Sequence, residues 1–183
     1  MSAKHLSERD SKWVEEARKT GTKAEQLTLS CLVEGLIKGR YSKGVVAEEQ
    51  YIIRKKPKLT IGKWNFEPEA IIENLKNGKR LIYDDKHGEK GGNAHERAYK
   101  YFTGAVERSE YIPLVVFSGP TFAAAEPFQY PRWDKKKKKK VMVTVNPQRY
   151  RNEFEAVLSP DQYFILTDSN QDDLINKIRE RLS

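Results

Sequence analysis

Two periodicities divide this 183-residue chain. Over 22–38, Leu27, Leu29, Leu32, Val33, Leu36 and Ile37 recur at helical spacing and form a broad apolar stripe, which Gly39 can close in the left-handed conformation. A shorter amphipathic helix is predicted over 7–19, with Trp13, Val14 and Ala17 on one face. Residues 45–56 are ambiguous, with a strand at Tyr51-Ile52-Ile53. A strand is predicted over 65–74, then an Asn77-Gly78 hairpin turn and a second strand from Arg80 to His87. Glycines 88, 91 and 92 open a loop. A helix over 93–106 follows, with Asn93 as N-cap and Glu96 as its capping partner.

Beyond it, 112–117 is an apolar strand with Pro113 near its start. The stretch 118–134 holds three of the eight prolines and reads as irregular. A strand over 141–145, a helix over 147–158, a strand over 163–167 and a helix over 172–182 complete the chain. Strands alternating with helices predict an α/β fold, a central mixed β-sheet flanked by helices, in a single domain over 1–183.

Composition narrows the partners. The chain is 38% hydrophobic and 33% charged, with a net charge of +8, which favours an anionic partner, nucleic acid first among them. No run reaches the roughly 20 apolar residues that span a membrane, and the N-terminal residues lack a signal-peptide core, so a cytoplasmic protein without a membrane partner is expected. The lone cysteine, Cys31, falls in the apolar helical pattern and reads as a core thiol.

Candidate chemistry sits at two apolar segments, Phe66-Glu67-Pro68-Glu69-Ala70-Ile71-Ile72 and Leu81-Ile82-Tyr83-Asp84-Asp85-Lys86. Alternation puts Asp84 and Lys86 on one side of a strand and Asp85 on the other. Two carboxylates and an ammonium converging at strand ends can hold a divalent metal and steady a phosphate attacked by water. Taken alone, Asp84-Asp85-Lys86 also fits a solvated ion pair at a strand end. His87 and His95 lack a second ligand at helical or hairpin spacing and read as polar surface positions. The run from Lys135 to Lys140 fits a solvated loop, a phosphate-contacting arm or a hairpin leading into the next strand.

After this acidic pair the chain reads Gly92-Asn93-Ala94-His95-Glu96-Arg97, then Ile112-Pro113-Leu114-Val115-Val116-Phe117. In that order the segments resemble the type II restriction endonucleases of the EcoRI and MunI group, which carry Gly-Asn-Ala-x-Glu-Arg in the same place. The resemblance covers about residues 64 to 118, roughly a third of the chain. It implies a restriction-endonuclease-like PD-(D/E)xK core and an Mg²⁺-dependent enzyme of bacterial, archaeal or viral origin. Glu69 takes the place of the family aspartate, Asp84 that of the second acid and Lys86 that of the lysine. Glu69, Asp84 and the carbonyl of Asp85 would ligate the metal. The two acids are exchanged in type relative to the family pattern, which predicts reduced activity or an altered metal preference, and Glu67 is an alternative first acid.

The same resemblance implies that Gly92, Asn93, Ala94, His95, Glu96 and Arg97, with Lys90 beside them, contact double-stranded DNA. An asparagine amide suits adenine, an alanine methyl suits a thymine methyl, and an arginine offers a bidentate fork. An AATT centre, a palindromic site, a homodimer and 5′ overhangs follow from the resemblance. Where a relative carries an arginine for its outer base pair, this chain has Gly91, which leaves the outer pair open. Two other classes share parts of this pattern, a DNA-binding protein without catalysis and a nonspecific or repair nuclease.

Overall fold

The computed structural model describes residues 32, 35, 36, 45–47, 50–91, 94–102 and 104–183. Among the described residues ten strands fall in three sheets. The largest is six-stranded, in the order β1-β2-β5-β6-β7-β10, built from Val45–Ala47 (β1), Tyr51–Lys55 (β2), Ala70–Asn74 (β5), Arg80–His87 (β6), Tyr111–Ser118 (β7) and Tyr163–Leu166 (β10). Two hairpins stand apart, Leu59–Ile61 (β3) with Trp64–Phe66 (β4), and Phe128–Asp134 (β8) with Lys139–Val145 (β9).

The large sheet is mixed, as the alternation of strands and helices predicts. From β1 to β6 neighbours run antiparallel, while β6, β7 and β10 run parallel. The Asn77-Gly78 turn closes β5 on β6, and Gly78 adopts φ +72, the left-handed conformation that glycine takes without strain. Pro113 lies in β7 ahead of Val115, where the register of β10 begins, so it removes no bond from that pairing.

The period of two in β6 and β7 sorts their side chains onto two faces. Leu81, Tyr83, Leu114 and Val116 share one core with Leu32, Leu36 and the apolar stripe of helix Gln171–Leu182, namely Leu174, Ile175, Ile178 and Leu182. Ile82, Val115 and Phe117 point the other way, into a second core with Phe66, Tyr101, Val106, Phe122, Phe154 and Leu158. The elements on that second face are a 3₁₀ helix Ala94–Phe102, α1 (Gly104–Glu107), α2 (Pro120–Ala123) and α3 (Pro147–Glu155); the helix Gln171–Leu182 on the first face is α4. Phe117 and Phe154 stack at 4.3 Å between ring centroids, and this contact fixes α3 to the centre of the sheet.

Three expectations change. The strand expected over 65–74 is two strands in different sheets, β4 and β5, because Glu67-Pro68-Glu69 interrupts the ladder and Pro68 is buried at the break. The helix expected over 93–106 is a 3₁₀ segment followed by the short α1, in keeping with the poor α-propensity of its aromatic run and Gly104. The stretch 118–134 is largely regular, with Pro120 opening α2 and Pro131 lying in β8. The helix predicted over 7–19 lies outside the described residues, as do Cys31 and Gly39; of that over 22–38, Leu32 and Leu36 are helical and buried.

Candidate active site

The β5–β6 register brings the main chain of Glu69 alongside Asp84. Ala70 pairs with Tyr83, so Glu69, one residue earlier, comes level with Asp84 as β5 begins. The main-chain N–H of Glu69 donates to the Asp84 carboxylate. The Glu69 main chain is itself anchored: its carbonyl accepts from the N–H of Lys56 at 2.9 Å, and its carboxylate lies 3.7 Å from the Lys56 ammonium.

Asp84 is only 2% exposed, on the face of Ile82 and the second core. Lys86, two residues on, reaches the same face; its Nζ donates to Asp84 Oδ2 and, at 2.8 Å, to the main-chain carbonyl of Asp85. The Asp85 carboxylate is buried and, by alternation, belongs to the opposite face. Burial pushes the Asp84 carboxyl above the ordinary carboxylate range. The charge of Lys86, its hydrogen bond, the charge of Lys100 and the Glu69 N–H all oppose that shift. Glu67 is exposed, two residues before Glu69.

Two groups that the sequence did not single out complete the setting. Tyr101, from the 3₁₀ helix, is 0% exposed, packs its ring 5.7 Å from Phe66, and its hydroxyl has no hydrogen-bond partner among the described residues. Burial, followed by the charges of Asp84, Glu69 and Glu67, raises its hydroxyl pKa far above the usual tyrosine value, which keeps it a neutral donor. Lys100 places its ammonium 4.7 Å from the Tyr101 ring centroid. Its charge is felt at Asp84, so a second cation serves the same carboxylate.

The DNA-contacting residues expected from the sequence are distributed around this point. Gly92 and Asn93 lie outside the described residues. Ala94, His95, Glu96 and Arg97 occupy the first part of the 3₁₀ helix that carries Lys100 and Tyr101. Of their side chains only that of Glu96 is described, and it is exposed, as is that of Lys90. His87 is held in the protein, with Nδ1 3.0 Å from Ser118 Oγ and Nε2 3.7 Å from Glu89.

The donor set is chemically consistent. Among the described residues no three His, Cys, Asp or Glu side chains converge as metal ligands. Glu69, Asp84 and the Asp85 carbonyl offer oxygen only. That suits a hard divalent cation such as Mg²⁺, which keeps several waters and takes only one or two protein carboxylates. A shallow crevice elsewhere, lined by Ile112, Asp161, Lys177, Glu180 and Arg181, lacks this character: its Lys177 donates to the Pro160 carbonyl at 2.7 Å and its Arg181 pairs with Asp161 at 3.2 Å.

The fold therefore belongs to the mixed-sheet α/β class, with Asp84, Lys86 and the main chain of Glu69 brought together where β5 meets β6. No family model matches the chain, and no curated protein matches it. Among solved structures it is similar to the MunI restriction endonuclease in complex with cognate DNA, at 18% identity and a TM-score of 0.48, over 73% of this chain and 83% of that one. A likeness this distant transmits neither activity nor specificity. No helix among the described residues is long and apolar enough to cross a membrane.

Proposed function

We propose that this protein is a type II restriction endonuclease, a homodimer that hydrolyses double-stranded DNA at a short palindrome with an AATT centre and leaves 5′ overhangs. The observation that carries the reading is the meeting of Asp84, Lys86 and the Glu69 main chain on one face of the sheet. The string Gly92 to Arg97, which leads into and opens the 3₁₀ helix beside that face, supplies the specificity half of the argument.

In this reading Glu69, Asp84 and the Asp85 carbonyl would hold Mg²⁺, which would supply a lowered pKa for a bound water and offset charge on the phosphoryl oxygens. Lys86, fixed by Asp84 and the Asp85 carbonyl, has one N–H left with which it would orient the attacking water and steady the negative charge that develops as the water oxygen bonds to phosphorus and one backbone P–O bond breaks, the leaving oxygen taking up a proton as an alcohol. Asn93, Ala94 and Arg97 read the base edges, Glu96 orients Arg97, and Lys90 and His95 lie against the backbone. A palindrome presents two equivalent half-sites, which a two-fold protein matches. All of this falls within one domain.

Lys86→Ala tests the assignment. Plasmid cleavage in Mg²⁺ is expected to fall by roughly 100- to 1,000-fold, the scale of losing one preorganised donor, while retardation of duplex DNA in a gel is kept. Undiminished cutting by the variant removes Lys86 from the chemistry.

A further inference from the structure

The basic balance of this chain is concentrated in one place. Lys135 to Lys140 supply six positive charges against a net charge of +8, so the rest of the molecule is close to neutral. All six side chains are exposed. They occupy the tip of the β8–β9 hairpin, whose last pair is Asp134 with Lys139.

The tip is built rather than loose. Asp134 Oδ1 accepts the main-chain N–H of Lys136 at 2.9 Å and of Lys137 at 3.0 Å, and Lys138 turns the chain at φ +48. The one carboxylate at the tip is thus committed to the backbone. Lys136 to Lys140 form no ion pair with any described residue. Holding so many like charges together is unfavourable unless an anion neutralises them.

The hairpin also has a direction. Its root, Val145 paired with Phe128, packs beside Gly91, where Val145 Cγ2 lies 3.6 Å from the position a Cβ would take. Gly91 is held by its N–H donating to Thr121 Oγ1 at 2.9 Å, and it immediately precedes the Gly92 to Arg97 string. Lys139 is six positions from Val145, so at a strand's rise of about 3.4 Å per residue the lysines stand roughly 20 Å from that root. Register places Pro131, Trp133 and Met142 together on the outward face, with Trp133 41% and Met142 59% exposed. A row of exposed cations suits contacts to phosphates, which position a nucleic acid without reading its bases.

We propose that the β8–β9 hairpin is a phosphate-gripping arm that binds the DNA backbone beside the recognised site and supplies most of the sequence-independent affinity. This rests on the reading of the protein as a DNA-binding enzyme. It assigns the arm a positioning role with no part in reading bases or in the hydrolysis.

The test compares the full chain with a variant carrying Lys136→Gln, Lys137→Gln, Lys139→Gln and Lys140→Gln, which keeps Asp134 and the left-handed Lys138. Binding of a fluorescent duplex is measured by anisotropy, without Mg²⁺, between about 50 and 200 mM salt. Every phosphate that the variant no longer neutralises takes about 0.9 from the slope of log affinity against log salt. The variant is therefore expected to show a slope lower by about 2 to 4 and an affinity at low salt lower by at least 10-fold. An unchanged thermal midpoint certifies its fold. Equal affinity and slope in the two proteins overturn the arm while leaving the endonuclease reading intact. A weaker variant alongside a wild-type chain that binds duplex but never cuts it upholds the arm and sinks the endonuclease reading. If the substitutions alter only binding to phosphatidylserine vesicles, the hairpin serves a membrane surface and the proposal fails.

Discussion

At the scale of single residues, the site turns on how Asp84 is kept in a place that disfavours its charge. Burial raises its carboxyl pKa, and Lys86, Lys100 and the Glu69 N–H each act against that shift. The sequence exposed Asp84 and Lys86 because a strand's alternation is strict, and the β5–β6 register brings Glu69, rather than the exposed Glu67, level with Asp84. Tyr101 was invisible beforehand, since nothing periodic tells which aromatic of a Tyr-Lys-Tyr-Phe run meets a carboxylate on another element. Its buried hydroxyl, lacking a partner among the described residues, makes a clear prediction. Tyr101→Phe should raise stability in a denaturant titration by about 1 to 3 kcal/mol, the usual cost of a buried unsatisfied donor. A loss of stability would mean that the hydroxyl is bonded in solution.

At the scale of elements, the strands with clean alternation and the helix with Leu174, Ile175, Ile178 and Leu182 at helical spacing fall where the pattern put them. What escaped was set by tertiary contacts. Prolines suggested irregular chain over 118–134, yet Pro120 opens a helix, where a missing N–H is harmless, and Pro131 lies in a two-stranded hairpin, whose every strand has a free edge. The lysine run left a solvated loop, an arm and a hairpin open, and the Asp134 turn beneath it makes it the tip of a hairpin. Gly119, at φ +83 between β7 and α2, carries a sharper demand: a Cβ there would stand 2.6 Å from the Gly88 carbonyl oxygen. Gly119→Ala should cost more than about 1 kcal/mol in thermal or chemical unfolding, since strain and a backbone clash coincide. Phe154→Ala should cost about 3 to 5 kcal/mol, because it removes the ring that stacks on Phe117 and touches Phe122 and Tyr163.

At the scale of the whole molecule, the sheet separates two tasks. One face is a plain apolar core closed by α4, and the other combines an aromatic core with the carboxylates, the lysines and the 3₁₀ helix that begins within the Gly92 to Arg97 string. The net charge that first suggested an anionic partner belongs almost entirely to a hairpin rooted at Gly91, next to that string. The proposed homodimer predicts a sedimenting species of twice 21.2 kDa, and a monomer that cuts both strands at full rate would contradict it. The central claim is site-specific, metal-dependent hydrolysis of duplex DNA. Its most direct test is the fragment map of a plasmid of known sequence after incubation with the protein and Mg²⁺. The account predicts discrete fragments whose 5′ overhangs read AATT, and none when EDTA replaces Mg²⁺. A smear of fragments, or DNA left intact at every protein concentration, would contradict it.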